Sequence, residues 1–286
     1  MDNTPDILEL ARRDIAQRRI HDLQRSADQA QPWLYAFLGL SLTLVAGVLF
    51  LPLGSLAHRL QMVVHGVCAQ AHYLTIGGYT MPLCARNTGI YAGFLAMVVY
   101  LLALGRGRAA KLPPWSITIV LAAAIVVMGI DGLNSMALDI GGYNLYTPQN
   151  TLRVASGLGM GMALGAFMLL IFNLSLRFDA RTDLRVVGNW AELLGACVVA
   201  AGMYLLLFFA PTWLFYPLAL FSVLGIVGVL FMSNVFVSAM ITGLEGRVLK
   251  LRQLARPATI GVVLTALELA LLAGLRVWME RSLGIL

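Results

Sequence analysis

The side chains of this sequence that could do chemistry are concentrated in one short stretch, residues 54–72. The stretch holds three of the four histidines and one of the three cysteines. If it forms a helix, at about 100° per residue, its polar side chains fall on one face within about 80°. They are His58, Gln61, His65, Cys68 and His72. Imidazole and thiolate groups are typical ligands of zinc and other transition metals, so this pattern predicts a metal site.

The predicted metal ligands are His65, Cys68 and His72, with Cys84 as a fourth. Three protein ligands and a water would suit a catalytic zinc or another transition metal, and four would suit a closed structural site. Two other interpretations stay open. Cys68 and Cys84 could form a disulfide outside the cytoplasm, or the face could be a polar surface toward water or lipid headgroups with unpaired thiols.

A second polar group stands at the predicted ends of three consecutive spanning helices. Arg86 and Asn87 open one helix, Asp131 closes the next, and Asn150 and Arg153 open the third. On the predicted topology these ends share one membrane level, where charged side chains are costly and usually face the interior of the bundle. The alternatives are a structural ion pair that fastens the helices and an anion site built from two arginines and helix N-termini.

The residue types assign roles within this second group. Arg86, Arg153, Asn87 and Asn150 are the candidate anion-binding residues. Asp131 and Arg86 are the candidate catalytic residues, because Asp131 could act as a base or orient an arginine. No H-E-x-x-H or G-x-S-x-G hydrolase motif is present, so the sequence leaves open whether the protein is an enzyme.

Several of these residues lie in longer motifs. Residues 82–93 read P-L-C-A-R-N-T-G-I-Y-A-G, residues 130–132 read I-D-G, and residues 150–153 read N-T-L-R. Over about residues 50–170 the chain resembles an uncharacterised bacterial and archaeal family of small integral membrane proteins, a domain of unknown function with a P-x-C-A-R-x-T-G-I-Y-x-G signature. Asn87 stands where that pattern usually has a second cysteine, and Ser156 replaces the usual threonine, so a centre with four thiolates is disfavoured. The resemblance implies a membrane protein and no particular reaction.

The elements that position these residues follow from the composition. Hydrophobic residues make up 59% of the chain and charged residues 12%, whereas soluble domains carry about 25% charged residues. We predict an all-α fold, a polytopic bundle of about seven spanning helices in a single transmembrane domain, residues 33–286. Each predicted span has roughly 20 mostly apolar residues. The spans are residues 33–57, 88–104, 115–135, 151–175, 188–210, 213–242 and 258–279.

Residues 1–32 form a separate polar segment. Apolar residues recur there at helical spacing while five arginines occupy the other face, which predicts an amphipathic helix on the cytoplasmic membrane surface. Basic residues are also concentrated in the loops after the second, fourth and sixth spans. The positive-inside rule therefore predicts a plasma-membrane protein with a cytoplasmic N-terminus and an extracytoplasmic C-terminus. The formal net charge of +6 is explained by these loops and does not indicate nucleic acid.

Two further patterns bear on packing and function. Gly157, Gly161 and Gly165 recur at four-residue spacing, which predicts close packing against a neighbouring helix. Glu192 and Glu268 lie within predicted spans, where acids mark hydrogen-bonded sites or ion paths.

We therefore expect a protein that binds or acts on an anionic membrane lipid or lipid-linked substrate. The alternatives are a non-catalytic subunit or scaffold that works with other membrane subunits, with a structural cluster, and a transporter.

Overall fold

The computed structural model describes residues 30–68 and 72–283, together with Glu9, Asp14 and Gln17. These three residues are helical and exposed. The rest of the predicted amphipathic segment lies outside the described residues.

Eight α-helices form the described part of the chain, and seven of them are long and apolar enough to cross a membrane. This confirms the predicted all-α bundle with seven spans. The helices are α1 Gln31–Phe50, α2 Leu56–Val64, α3 Ala85–Ala103, α4 Trp115–Asp139, α5 Asn150–Leu176, α6 Trp190–Phe209, α7 Phe215–Ile241 and α8 Ala255–Ser282. Short 3₁₀ turns, Thr212–Leu214 and Leu251–Leu254, precede α7 and α8.

The predicted helix over residues 54–72 is wrong beyond its first half. α2 is the short helix of the set, and it ends at Val64. The chain then turns at Gly66, which packs against the backbone of α8 so closely that a Cβ there would lie 2.1 Å from the carbonyl carbon of Leu272. The polar face predicted for one continuous helix is therefore divided between α2, the turn after it and the residues that precede the first strand.

Two small sheets supplement the helices. Strands β1 Tyr73–Ile76 and β2 Tyr79–Cys84 pair antiparallel. Gly77 and Gly78 join them with φ values of 56° and 86°, a conformation that glycine adopts without the cost of a Cβ clash. Strands β3 Ala109–Lys111 and β4 Arg181–Arg185 pair in parallel.

The connections lie alternately at two ends of the bundle. We call the end with residues 51–68, 72–84, 140–149 and 210–214 the hairpin side, because β1 and β2 lie there. The other end, the basic side, contains residues 104–114, 177–189 and 242–254. Its predicted basic loops do come together: β3 pairs with β4, and Arg108 forms an ion pair with Asp179 at 3.1 Å.

Helices α3 and α5 make the closest contact in the bundle. A Cβ on Gly157 would lie 2.4 Å from the carbonyl oxygen of Arg86, and one on Gly161 would lie 2.0 Å from that of Ile90. Only glycine permits backbones to approach this closely. The predicted packing role of the α5 glycines is therefore confirmed, and the contact brings the first turns of α3 and α5 together.

Candidate functional site

The centre of the site is a buried ion pair between α3 and α4. Arg86, in the first turn of α3, donates through Nη2 and Nε to Oδ2 of Asp131 at 2.8 and 3.0 Å. Its Nη2 also lies 2.8 Å from Oγ of Ser135, one turn further along α4. Arg86 is 8% exposed and Asp131 3%. Charge-assisted hydrogen bonds of this kind are strong and fix the orientation of both groups.

A second arginine lies in the same buried layer. Arg153, in the first turn of α5, is 5% exposed. Its Nη1 donates to Oδ1 of Asn150 at 3.0 Å, and its Nε lies 3.4 Å from Oγ of Ser135. Asn150 in turn donates to the carbonyl of Tyr73 at 3.1 Å and so ties α5 to β1. Among the described residues, no carboxylate forms an ion pair with Arg153.

The loop between α4 and α5 completes the layer. Asn134 accepts from the backbone N–H of Leu145 at 2.6 Å and donates to the carbonyl of Tyr146 at 2.9 Å. This holds Tyr146 so that its phenol donates to Oδ1 of Asp131 at 2.6 Å. Ser156 of α5 lies 3.3 Å from the other oxygen of Asp131. The carboxylate therefore joins α3, α4, α5 and the loop.

The environment of Tyr146 alters its acidity. Burial, followed by its hydrogen bond to the Asp131 carboxylate, raises the pKa of Tyr146 to about 12. Both effects penalise the charged phenolate. The phenol therefore stays protonated, as a hydrogen-bond donor to Asp131, at any physiological pH.

A groove opens beside this layer between α4 and α5, with a volume of about 430 Å³. Small apolar residues line its walls, among them Ala124 and Val127 of α4 and Ala155 of α5. Its polar end is formed by Asp131, Tyr146 and Ser156. The groove thus connects the membrane-spanning faces of two helices to the buried charges.

The four predicted metal ligands are not gathered at one point. Nε2 of His65 lies 2.9 Å from Oε2 of Glu280 on α8, while Nε2 of His72 lies 3.1 Å from Oδ1 of Asp139 on α4. Within the described ranges, no group of three or more His, Cys, Asp or Glu side chains could hold a metal ion. These residues do not fit a metal centre as arranged, so the metal site stays a prediction.

The two thiols of the hairpin side do lie together. Cys68 and Cys84 do not form a disulfide, and a hydrogen bond joins their side chains. That hydrogen bond and burial raise the pKa of Cys84, while the backbone N–H of Asn87 opposes the shift. Cys84 is thus a protonated thiol at the N-terminus of α3. Asn87, a predicted anion ligand, contributes this backbone contact with Cys84.

The two acids in the spans have separate partners. Glu192, near the basic side, accepts from Arg106 and from the backbone N–H of Gly188. Glu268, in α8, accepts from the side chain of Asn234 in α7 at 2.9 Å. Neither lies in the polar layer around Asp131.

Sequence reasoning brought Arg86, Asp131 and Arg153 to one level but missed Ser135 and Tyr146, which complete their surroundings. Ser135 follows Asp131 by one helical turn, so helical periodicity could have found it. Tyr146 and Asn134 meet only because the loop folds back on α4. An aromatic residue in a loop gives no local signal for such a contact.

Residues 68–167 of the chain match the protein family described as "Predicted membrane protein (DUF2085)". The matched segment includes the hairpin, α3, α4 and much of α5, and hence the polar layer. The match confirms the predicted resemblance to an uncharacterised family of membrane proteins. No curated protein and no solved structure matches the chain.

Proposed function

We propose that this membrane protein binds the anionic headgroup of a lipid or lipid-linked substrate at the hairpin side, with Arg153 as the principal anion ligand. The observation that supports the proposal is the charge count of the buried layer. Among the described residues of this layer, two guanidinium groups, Arg86 and Arg153, face one buried carboxylate, Asp131. A buried charge without a counter-charge is costly, and an anion would supply the missing one.

The position of Arg153 supports the same proposal. It lies in the first turn of α5, which begins at Asn150, and the N-terminus of a helix attracts anions through its dipole and its free backbone N–H groups. The N-cap residue Gln149 makes no side-chain capping hydrogen bond. A phosphate or carboxylate oxygen could therefore combine with the guanidinium and the first N–H groups of the helix.

The contacts of Arg86 and Asp131 favour a positioning role for both. Both oxygens of Asp131 are already engaged, by Arg86, Tyr146 and Ser156. A carboxylate held by this many donors is fixed in its orientation. In the proposed site, Asp131 orients Arg86 and holds the layer in place, and Arg153 contacts the anion.

The test compares thermal stability in a neutral detergent with and without phosphatidylglycerol or inorganic phosphate. Ligands that bind only the folded state raise its stability. We expect the anionic lipid to stabilise the wild type, and Arg153→Gln to lose that stabilisation. Arg281→Gln is the matched control, because Arg281 is an exposed arginine near the hairpin-side end of α8. Equal stabilisation of wild type and Arg153→Gln would disprove the proposal.

We also propose that the basic side faces the cytoplasm, which makes the anion site extracytoplasmic. The clustering of arginines in the basic-side loops supports this orientation through the positive-inside rule. A reporter inserted within residues 105–114 is expected in the cytoplasm, and one fused after Leu286 outside it. The opposite result at either position would overturn the orientation.

A further inference from the structure

The walls of the groove between α4 and α5 identify what can occupy it. They are made of apolar residues at successive turns of two spanning helices, such as Val120 and Val127 on α4 and Ala155 and Gly159 on α5. Apolar faces of spanning helices are in contact with the hydrocarbon of the bilayer. A lipid chain that enters sideways from the membrane therefore matches the groove in both chemistry and location.

The polar end of the groove selects for hydrogen-bond donors. The hydroxyl hydrogen of Tyr146 is directed to Asp131 at 2.6 Å. The hydroxyl of Ser156 has two acceptors of its own, Asp131 at 3.3 Å and the carbonyl of Arg153 at 3.2 Å. The groups that remain open to a ligand are oxygen lone pairs, since each hydroxyl can accept as well as donate. A ligand that offers O–H or N–H groups would satisfy them.

The net charge of the buried layer favours a headgroup with O–H donors over one with the N–H donors of an ammonium group. An ammonium headgroup would add a further cation beside Arg86 and Arg153, which already outnumber Asp131. Like charges in a site of low polarity repel strongly. Neutral hydroxyl groups meet the acceptors without that cost, while a phosphate near Arg153 is favoured by the surplus positive charge.

We infer that the lipid is a phospholipid with a polyol headgroup, such as phosphatidylglycerol, with one chain in the groove and its headgroup hydroxyls on Tyr146 and Ser156. The inference rests on the proposed function, because it assigns the phosphate to Arg153. It adds a lateral path from the bilayer and a headgroup preference that anion binding alone does not require.

The headgroup is tested by comparing phosphatidylglycerol with phosphatidic acid, which has the phosphate but no polyol. We expect wild-type protein in neutral detergent to be half-saturated, by thermal shift, at a phosphatidylglycerol concentration about tenfold lower than that of phosphatidic acid, the size of one good hydrogen bond. Tyr146→Phe should remove this preference and leave the response to phosphatidic acid. Tyr143→Phe is the matched control, because Tyr143 lies in the same loop and is 87% exposed.

The groove is tested by filling it. Ala155→Phe places a large side chain at an exposed position of the groove wall, so folding should be retained. The variant should bind both lipids more weakly than the wild type does. Its stabilisation by water-soluble glycerol phosphate should be unchanged. Ala201→Phe makes the same change at an exposed position of α6 and should bind lipid as the wild type does.

The possible outcomes separate the two proposals. If the wild type responds equally to phosphatidylglycerol and phosphatidic acid, the polyol preference is overturned and anion binding at Arg153 stands. If Ala155→Phe binds both lipids normally, the groove assignment is overturned. If no anion stabilises the wild type, the proposed function fails and this inference fails with it. Should Tyr146→Phe not fold, Ser156→Ala tests the same preference, and an unchanged preference in that variant would count against it.

Discussion

The two ends of the bundle each hold an arginine–carboxylate pair, and the pairs differ in their charge balance. On the basic side, Arg106 bonds to Glu192, whose other oxygen accepts from the backbone N–H of Gly188 at 2.8 Å. One cation there meets one anion. On the hairpin side, Arg86 and Arg153 share a layer in which Asp131 is the one buried carboxylate among the described residues. The balanced pair is sufficient to fasten helix ends together, whereas the unbalanced layer has the capacity to bind a further anion.

The pairs also differ in depth. The side chains of Arg106 and Glu192 are 16% and 15% exposed, and those of Arg86 and Asp131 10% and 3%. A deeper pair loses more hydration and depends more on its partners. The two pairs should therefore respond unequally when each is broken.

The largest effect is expected for Asp131→Ala. The change leaves the buried guanidinium of Arg86 and the Tyr146 phenol without their common acceptor. Removing one member of a buried ion pair costs about 3–5 kcal/mol, to be measured by unfolding in detergent. Replacing Arg86 and Asp131 together by apolar residues should recover much of this loss. A single variant as stable as the wild type would show that the layer is not held by its charges.

A smaller effect is expected for Glu192→Gln on the basic side. The variant loses the charge and keeps one acceptor oxygen, so either Arg106 or the backbone N–H of Gly188 loses its partner. Hydrogen bonds to charged groups contribute about 1.5–3 kcal/mol, and the exposure of this pair places the loss at the lower end. A loss in the same unfolding assay larger than that of Asp131→Ala would reverse the comparison.

Alanine substitutions of glycine should also destabilise the two ends to different extents. Gly157→Ala would place a Cβ 2.4 Å from the backbone oxygen of Arg86, whereas Gly188→Ala meets only the side-chain ends of Arg106 and Glu192 at 3.1 Å. Backbone cannot move aside as a side chain can, so Gly157→Ala should cost about 1–3 kcal/mol. Its melting temperature should fall well below that of Gly188→Ala. Equal values would show that α3 and α5 separate easily.

The smallest effect is expected from the titration of Tyr146. Its pKa is raised from the ordinary value of 10.0 to about 12, so its contribution to stability is complete below pH 10 and is lost as the pH rises through about 12. Between these values the wild type should lose more stability than Tyr146→Phe in a series of thermal melts. The control Tyr143→Phe should follow the wild type. Parallel curves for wild type and Tyr146→Phe would show that the phenol is not coupled to Asp131.

Sequence reasoning succeeded where a single physical property decides the outcome. Long apolar runs define all seven spans, and alternating topology is enough to place Arg86, Asp131 and Arg153 at one level. The prediction of one helical face over residues 54–72 was wrong, because the helix ends at Val64 and the chain turns at Gly66. The contact of Gly66 with α8 depends on a helix far away in the chain, which no local pattern reveals.

The β1–β2 hairpin shows the opposite case, a feature that the sequence contained and the prediction did not use. Tyr73–Ile76 and Tyr79–Cys84 are rich in aromatic and β-branched residues and are separated by Gly77 and Gly78. Two glycines between such runs are a strong signal for a two-residue hairpin. Recognising the turn would have separated His72 from His65 and Cys68 and weakened the metal hypothesis from the outset.

The parallel pairing of β3 with β4 has a consequence for biosynthesis. Arg181 donates its backbone N–H to the carbonyl of Arg108, and Val186 to that of Lys111, so the pairing links positions on either side of the complete α4–α5 hairpin. The strands can meet only after both helices have been threaded into the membrane and returned to the same surface. Contacts that close so long a stretch of chain form late. The pairing of β3 with β4 therefore forms only after this pair of helices has been inserted, during or after translation, and it then holds the two loops together.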